Sequence, residues 1–375
     1  MKKVIIFILT IGFCLAPVLA LADGMILPPP NYNIYGTDQK AVIFYENNTE
    51  TLILSTTFRG NAKNFGWIVP TPSRPEVSRS SDEIFTSLED LTRVETDYQL
   101  RPLGLSESYT AGMQKNDVYV VETKKVEYYD ISVLEANDSG ALVRWLNENN
   151  YYYPERSSYI FDSYINNKWY FTAVKIDASL IGSSVSNAIR EGHMIPLQLK
   201  FKTDKIVYPM RISSAMEYVP YPTPSPDYGA ASSGTGIQLN PQSYLPYLPR
   251  PYYYPSQVGV LIYVFTTANK QTLPGFTTNY AGWIKKDTIK DLAFDENGNP
   301  SLNPGQDKYF LTKLTRWMSY SEMTSDLYLR NAADNNLVNA KPLEGENSFW
   351  FWFLMAIGVL LILGVAALFI ILAKK

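Results

Sequence analysis

Residues 41–58 read AVIFYENNTETLILSTTF, and this stretch decides the fold class. Two runs rich in apolar and β-branched side chains, residues 41–45 and 51–58, flank the polar segment 46–50. Four alternate positions of the second run share one face: Leu52, Leu54, Thr56 and Phe58. Alternation with a period of two on either side of a polar segment predicts a β-hairpin.

Further strands are predicted on both sides of this hairpin. Residues 65–69 form a third strand that we expect to be stopped by Pro70, Pro72 and Pro75, because proline lacks the backbone donor of a central strand. The other apolar or alternating runs are residues 118–121 continuing through 131–134, 169–176, 195–201, 207–212, 258–266, 309–316 and 324–329. Pro209 marks the run 207–212 as an edge or bulged strand.

Two amphipathic helices accompany the strands. The first begins after Ser80 or Ser81, which are N-cap residue types, and the second begins near Asn137 or Asp138. Their apolar stripes consist of Ile84, Phe85, Leu88 and Leu91 in the first helix and Ala141, Leu142, Trp145 and Leu146 in the second. The sequence therefore predicts an α+β fold, with a mixed or antiparallel sheet, a few packed helices and one C-terminal transmembrane helix.

The transmembrane helix is predicted at residues 349–373, which contain no charged side chain. A helix of this length covers about 37 Å, more than the ~30 Å of a hydrocarbon core. The excess is explained by an aromatic collar at the interface, which includes Phe349, Trp350 and Trp352. A buried core helix is the alternative, disfavoured by the length and by the missing polar face.

The two chain ends predict the orientation in the membrane. Basic residues stay on the cytoplasmic side, which places Lys374 and Lys375 inside. At the other end, Lys2 and Lys3 precede an apolar run, and Ala20 and Ala22 form a small-x-small cleavage site. We therefore expect a type I protein of the cytoplasmic membrane with its domain outside the cytoplasm. An uncleaved second anchor is the alternative at the N-terminus.

These signals divide the chain into six segments. They are a signal peptide at 1–22, a main α+β ectodomain at 23–216, a Pro/Tyr-rich mobile insertion at 217–256, a β-rich remainder at 257–330, a polar stalk at 331–348 and the membrane helix at 349–373. The exported part keeps 29 of the 33 basic residues, because two lysines lie at each end, against 36 acidic ones, a formal charge of −7. This charge argues against nucleic acid or an anionic membrane surface as the partner of the exported part. The only cysteine, Cys14, lies in the signal peptide.

The search for catalytic, metal and cofactor residues selects none. His193 is the only histidine, and a surface turn is its simplest interpretation. Asp295, Asn297 and Asn299 have the alternate spacing of a calcium loop, but Pro300 stands where that loop requires glycine. We interpret Asn297 and Gly298 as a tight hairpin turn instead.

The segment NFGWIVPTP at residues 64–72, together with PEV at 75–77 and the apolar stripe of the first helix, resembles the signature of domain of unknown function 2330. The resemblance covers about residues 23–214 and is looser over 258–333. It implies export and frequent membrane attachment for a family of uncharacterised prokaryotic proteins, and it implies no activity. Trp67 is interpreted as a structural residue, with a ligand groove beside it as the functional alternative.

The function predicted from these observations is a non-enzymatic envelope protein that is held by the bilayer and binds a protein, peptide or glycan partner. The alternative is a carboxylate-dependent glycan hydrolase on the outer side of the membrane. A hydrolase of this kind needs two acidic side chains about 5–10 Å apart in one cleft. The 36 acidic residues leave such a pair open without singling one out.

Overall fold

A computed structural model of the chain describes residues 25–27, 34–60, 64–93, 118–126, 129–151, 153–177, 194–218, 257–295, 298–343 and 357. Within these residues the strands form a seven-stranded sheet, a five-stranded sheet and two two-stranded ribbons. The larger sheet has the strand order β13-β14-β11-β2-β3-β9-β5, and the smaller has β1-β4-β8-β7-β6. The ribbons pair β10 with β15 and β12 with β16.

The strands are β1 (Met25–Leu27), β2 (Ile34–Glu46), β3 (Thr49–Gly60), β4 (Asn64–Thr71), β5 (Glu76–Arg79), β6 (Tyr119–Val126), β7 (Tyr129–Glu135), β8 (Tyr170–Asp177), β9 (Leu197–Lys202), β10 (Val207–Tyr208), β11 (Val258–Thr266), β12 (Gln271–Thr272), β13 (Thr277–Lys285), β14 (Lys308–Met318), β15 (Leu327–Tyr328) and β16 (Arg330–Asn331). The α-helices are α1 (Glu83–Leu91), α2 (Ser139–Glu148), α3 (Tyr159–Asn166) and α4 (Lys286–Lys290). The 3-10 segments are Glu155–Ser157, Arg211–Tyr218 and Tyr320–Glu322.

The hairpin predicted at residues 41–58 is confirmed as β2 and β3, at the centre of the larger sheet. Its turn is shorter than the polar segment 46–50, because Glu46 already pairs with Thr49. Asn47 and Asn48 have φ values of 51° and 54°. Two consecutive residues with positive φ form the turn whose twist suits a two-residue hairpin, and asparagine tolerates this conformation.

Both faces of the larger sheet are buried. On one face Ala41, Ile43, Leu52 and Leu54 belong to the same apolar cluster as the five-stranded sheet. On the other face Val42, Phe44 and Ile53 pack with α1 in a second cluster. The sheet is mixed, since β2 and β11 run parallel while its other neighbouring strands are antiparallel. The α+β class predicted from the sequence is confirmed.

The five-stranded sheet places NFGWIVPT in its second strand, β4. The strand continues through Pro70, because Pro70 and Thr71 still pair with β8, and it ends before Pro72, the second of the predicted stops. On the opposite side β1 pairs only with residues 66–68, so the missing amide of Pro70 interrupts no described ladder. Gly66 is required for packing, because a Cβ at this position would overlap the ring of Tyr151, which follows α2.

The two predicted helices are confirmed, and their stripes are buried except for Leu91 and Ala141, which are partly exposed. Asp138 caps α2, its Oδ1 accepting a hydrogen bond from the Ala141 amide at 2.7 Å. The helix α3 was missed by the sequence analysis, although Ile160, Phe161 and Tyr164 bury one of its faces. The ring of Phe161 meets that of Phe171 on β8 edge to face, with centroids 5.3 Å apart. The helix therefore covers the five-stranded sheet.

Three strand predictions are corrected by the structure. The run through residues 118–134 is two antiparallel strands, β6 and β7, instead of one. The run 207–212 ends as a strand at Tyr208, and a 3-10 segment starts at Arg211. The run 324–329 is reduced to β15, which pairs with β10. In the run 207–212 the apolar residues are buried without joining a long ladder, whereas in the run 324–329 Leu329 is buried and Tyr328 is 44% exposed.

Residues 331–343, called the C-terminal strap below, lie against the domain as far as they are described. Ala281 on the edge strand β13 and Val338 exchange both backbone hydrogen bonds at 2.9 Å. Gly282 allows this approach, because a Cβ there would lie 2.5 Å from Cβ of Ala340. The strap covers an edge that would otherwise offer free backbone groups. Residues 331–340 are thus bound to the domain, although they were predicted to begin a polar stalk.

Several predicted segments lie outside the described residues. They include the signal peptide with Ala20 and Ala22, most of the insertion at 217–256, His193 and, apart from Ile357, the membrane helix at 349–373 with Lys374 and Lys375. Among the described residues, no helix has both the length and the apolar character that a bilayer crossing requires.

Candidate functional site

The Trp67 side chain is fully buried in the main apolar cluster. It stands in β4 between β1 and β8, opposite Ile26 and Val174. This position agrees with the structural interpretation of NFGWIVPT. The ligand groove beside Trp67 stays a prediction.

The loop at Asp295 and Asn299 is closed by hydrogen bonds within the loop. The Asn299 amide donates to Oδ1 of Asp295 at 2.8 Å, and the Asn299 side chain donates to Oδ2 at 3.1 Å. Gly298 has a φ of 77°, which agrees with the predicted tight turn. Among the described residues no group of three His, Cys, Asp or Glu side chains is placed to hold a metal ion.

A surface pocket of about 430 Å³ lies where the C-terminal strap ends. We call it the lysine pocket, and its lining consists of Lys285, Lys286, Asp287, Asp307, Lys308 and Leu343. Three lysines and two aspartates therefore line one opening. Leu343 is the last residue of the strap that the structure describes.

The lysines come together because β13 ends where β14 begins. Lys285 and Lys308 are paired residues of these strands, and the Lys286 amide donates to the Asp307 carbonyl at 2.8 Å. Nζ of Lys308 lies 4.5 Å from the centroid of the Trp283 ring. A cation over an indole face is attracted by the ring quadrupole, which holds the Lys308 ammonium group over Trp283.

A polar network joins α1 to the larger sheet. Lys313 Nζ on β14 contacts Glu89 Oε2 at 2.8 Å and donates to the Thr92 hydroxyl at 3.2 Å. Tyr263 donates its hydroxyl proton to the same Glu89 oxygen at 2.9 Å. Burial opposes the charge on Glu89, but the Lys313 ammonium and the Tyr263 hydroxyl outweigh it and lower the pKa of this carboxyl. The network fastens the end of α1, and its groups are already paired.

A second network joins α3, the 3-10 segment and β15. The Tyr164 hydroxyl donates to Oδ1 of Asp326 at 2.7 Å and accepts from the Ile212 amide at 3.1 Å. The Arg211 amide donates to the same carboxylate oxygen at 3.0 Å. Burial raises the pKa of Asp326, and these hydrogen bonds offset only part of the effect.

Glu50 is a fully buried carboxyl group on β3. Its Oε2 accepts a hydrogen bond from the Val207 amide at 3.0 Å, and its Oε1 has no hydrogen-bond partner. Burial raises the pKa of Glu50 well above the ordinary value, while the Val207 amide acts in the opposite direction. Glu50 joins β3 to the ribbon that begins at Val207.

The hydrolase alternative requires two acidic side chains in one open cleft. Glu50 and Asp326 are the described carboxyl groups with a raised pKa. Glu50 is closed off from solvent, and Asp326 holds the backbone of Arg211. Neither of these two described carboxyl groups therefore supplies the required pair in an open cleft, and the hydrolase alternative stays a prediction.

The sequence analysis missed the lysine pocket entirely. Its local signal is the adjacent pair Lys285 and Lys286 after the segment YAGWI at residues 280–284. The third lysine, Lys308, is 23 residues away from Lys285 in the chain. It joins the pair only through the register of β13 and β14. Strand register between distant segments is not visible in a single sequence.

The fold and the pocket define a sheet-dominated α+β domain whose C-terminal strap closes one sheet edge and reaches the lysine pocket. A family model described as "Uncharacterized protein conserved in bacteria (DUF2330)" matches residues 17–220. The chain belongs to this bacterial family.

Comparison with solved structures finds only distant similarity. A crystal structure of baculovirus P35 matches with a TM-score of 0.34 and 11% identity, over 82% of this chain and 99% of that chain. A mutated baculovirus P35 after caspase cleavage matches with a TM-score of 0.33 and 10% identity, over 78% and 97% of the two chains. These TM-scores are too low to establish a shared fold. No curated protein sequence matches the chain.

Proposed function

We propose that the chain is a single-pass envelope protein whose C-terminal helix holds a binding or structural domain on the outer side of the cytoplasmic membrane. One observation carries the proposal. Leu343 lines the lysine pocket, six residues before the uncharged stretch 349–373 begins. Six residues span at most about 20–22 Å. The lysine pocket end of the domain would therefore lie close to the bilayer.

Selective labelling of single cysteines tests the proposed topology. The natural Cys14 is replaced by serine, and Arg144→Cys or Lys374→Cys is introduced into the full chain. Arg144 is exposed on α2, and Lys374 follows the proposed membrane helix. We expect a membrane-impermeant maleimide to label Arg144→Cys in cells whose outer barriers are open. Lys374→Cys should react only after the cytoplasmic membrane is permeabilised.

Extraction at alkaline pH tests the anchor itself. The full chain should stay in the membrane pellet, and a matched chain that ends at residue 348 should be released. Labelling of Lys374→Cys from outside would contradict the orientation. Release of the full chain together with the truncated one would contradict the anchor.

The binding role of the domain is tested by crosslinking in the native host. A non-enzymatic domain of the envelope should give a reproducible crosslinked protein, peptide or glycan partner that requires residues 23–343. If the full chain and a chain that retains only the signal peptide and the anchor gave the same products, the proposed binding role would be rejected.

A further inference from the structure

The C-terminal strap covers the outer edge of β13 through a short contact. Ala281 and Val338 form an isolated bridge instead of a ladder. Beside it the Asn339 side chain donates to the Asn279 carbonyl at 2.8 Å. Asn339 has a φ of 52°, a left-handed position at which asparagine commonly turns the chain. The strap then reaches Leu343 at the lysine pocket, so it covers β13 as far as the end of the strand.

Burial contributes little to this contact. None of the residues 331–343 is buried, and most of them are exposed. Polar contacts at the surface hold the strap, among them the ion pair of Lys270 with Asp334 at 2.7 Å and the two hydrogen bonds of the Asn335 side chain. Segments with exposed hydrogen bonds and few buried apolar contacts open at a low cost in free energy. We therefore expect the strap to detach without unfolding of the sheet.

The edge beneath the strap has the composition of a strand that pairs readily. Residues 277–284 read TTNYAGWI and contain neither charge nor proline. An uncharged edge of this kind is a template for another strand. Both main-chain groups of Ala281 point outward, because they bond to Val338. The alternation of an antiparallel ladder directs those of Trp283 and Lys285 outward as well, and the register shift against β14 comes earlier in the strand.

We propose that this edge is a dimerisation surface that the strap keeps closed, and that its partner is β13 of a second copy of the chain. An antiparallel pair centred on Trp283 places Ala281 of each copy opposite Lys285 of the other. The outward donors and acceptors of these residues then meet, no like charges face each other directly, and the two central aromatic side chains are cross-strand neighbours. The pair joins two seven-stranded sheets through one isologous interface.

The strap and the second copy exclude each other. The Ala281 groups that bond to Val338 are the same groups that would bond to Lys285 of the second copy. The strap also lies close against the strand at Gly282, where a Cβ would be 2.5 Å from Cβ of Ala340. A dimer therefore forms only after the strap has left the edge. The proposal is independent of the membrane anchor, because every residue that it uses lies within the described domain.

Weakening the strap in the full chain tests the proposal. Asn335→Ala with Val338→Pro removes both side-chain bonds of Asn335 and the bond that the Val338 amide donates to Ala281. Asn336→Ala is the matched control, because Asn336 holds the strap through its backbone. Association is measured by light scattering in detergent micelles. We expect the dissociation constant of the dimer to be at least about tenfold lower in the double variant than in the natural chain or the control.

Distances between spin labels test the register of the dimer. Thr277→Cys is introduced into the double variant, and Cys14 is replaced by serine. Thr277 is exposed at the start of β13, six residues before Trp283. In a pair centred on Trp283 the two labelled positions are twelve residues apart along the strands, which predicts a distance of about 40 Å. A pair centred on Ala281 would give about 26 Å, and a parallel pair in register would bring the labels close together.

Gly282→Ala releases the strap independently, because its Cβ collides with Ala340 while the strap sequence stays intact. This variant should also dimerise with a distance near 40 Å between labels at residue 277. Three outcomes would overturn the proposal: monomers in both released variants, association as tight in the natural chain or the control, or a dimer with a different distance. A variant that misfolds is recognised by the loss of its cooperative urea transition, and the other released variant then decides.

Discussion

At the scale of single residues, two helix ends show how the backbone uses left-handed positions. After α2, Asn150 has a φ of 63°, the Tyr151 amide bonds to the Leu146 carbonyl at 2.8 Å, and the Asn150 amide bonds to the Asn147 carbonyl at 3.1 Å. After α3, Lys168 has a φ of 58° with the same bond pattern. Both are Schellman ends, in which glycine is the residue usually found at this position.

Because one of these residues is lysine and the other asparagine, we expect substitution by glycine to change the stability of the protein differently at the two positions. Lysine in the left-handed region costs about 1–2 kcal/mol, whereas asparagine visits it more readily. Glycine removes this strain but loses more backbone entropy on folding. We expect Lys168→Gly to stabilise the protein by about 0.5–1 kcal/mol and Asn150→Gly to change stability by less. Urea unfolding followed by tryptophan fluorescence measures both, and a larger gain at Asn150 would contradict the argument.

Glu50 predicts a pH dependence of stability. The pKa of this carboxyl is raised well above 4.5 by burial in the folded state. The contribution of Glu50 to the free energy of unfolding is therefore fully present below the pKa that this carboxyl has in the unfolded chain. It is lost as the pH rises through the pKa in the folded state, and the total loss is about 1.4 kcal/mol per unit of difference between the two pKa values. Glu50→Gln cannot ionise, so its stability relative to the natural chain should increase from about pH 4.5 upward.

Urea unfolding over a pH series measures this effect. The matched control is Glu76→Gln on β5, because the Glu76 side chain is 82% exposed, 3.7 Å from Lys200. The control should leave the pH profile of stability nearly unchanged, as expected for an exposed ion pair. Parallel profiles for Glu50→Gln and the natural chain would show that Glu50 ionises with an ordinary pKa.

At the scale of elements, the strap is predicted to depend on Asn335. Its Oδ1 accepts from the Lys270 amide at 2.9 Å, and its Nδ2 donates to the Ala268 carbonyl at 3.2 Å. Asn335→Ala removes both bonds and should cost about 1–2 kcal/mol. Hydrogen exchange should accelerate at Ala332 and Val338, whose amides bond to the Lys270 and Ala281 carbonyls.

Asn336→Ala is the matched control for this prediction. The backbone amide of Asn336 donates to Asp334 Oδ1, and its backbone carbonyl accepts from Lys270 Nζ. Because both groups belong to the backbone, they remain after the substitution. Hydrogen exchange in the strap should therefore stay as in the natural chain. If Asn335→Ala left the exchange rates of Ala332 and Val338 unchanged, the strap would be held mainly by its other contacts.

Elements with a strong local pattern could be predicted from the sequence. The hairpin β2–β3 combines alternation with a polar turn, and α2 combines a cap at Asp138 with a wide apolar stripe. The failures arise where distant partners decide the conformation. Pro70 continues a strand because β8 pairs with it, and α3 is short enough that burial against β8 outweighs its weak local signal.

At the scale of the whole molecule, the sequence could not show how its two halves combine. The segments 23–216 and 257–330 were predicted as a main domain and a remainder. In the structure β11 lies next to β2 in the middle of the larger sheet, with Ile262 opposite Ala41. The candidate site depends on the same long-range order, because the lysine pocket forms from β13, β14 and the strap. Pairing between strands that lie some 200 residues apart in the sequence depends on long-range packing, and it leaves no periodic pattern in the sequence.

This arrangement predicts that the part matched by the family model does not fold alone. The match ends at residue 220, whereas β11, β13 and β14 supply three of the seven strands of the larger sheet. Without them the edge of β2 would lose its partner, and Val42 and Phe44 would lose Tyr263, Phe265 and Tyr309 from their cluster. Losing several large buried side chains costs more than the roughly 5–15 kcal/mol by which domains are stable.

Two fragments make this prediction testable. The chain from residue 23 to 343 contains both sheets and the strap, and it should give a monomeric, cooperative thermal transition by circular dichroism. The chain from 23 to 220 should aggregate or unfold without cooperativity, since it exposes an unpaired strand edge and an apolar sheet face. A cooperative transition of the shorter fragment would show that the five-stranded sheet and the hairpin are sufficient. The parallel pair of β2 with β11 would then be an addition to an independent domain.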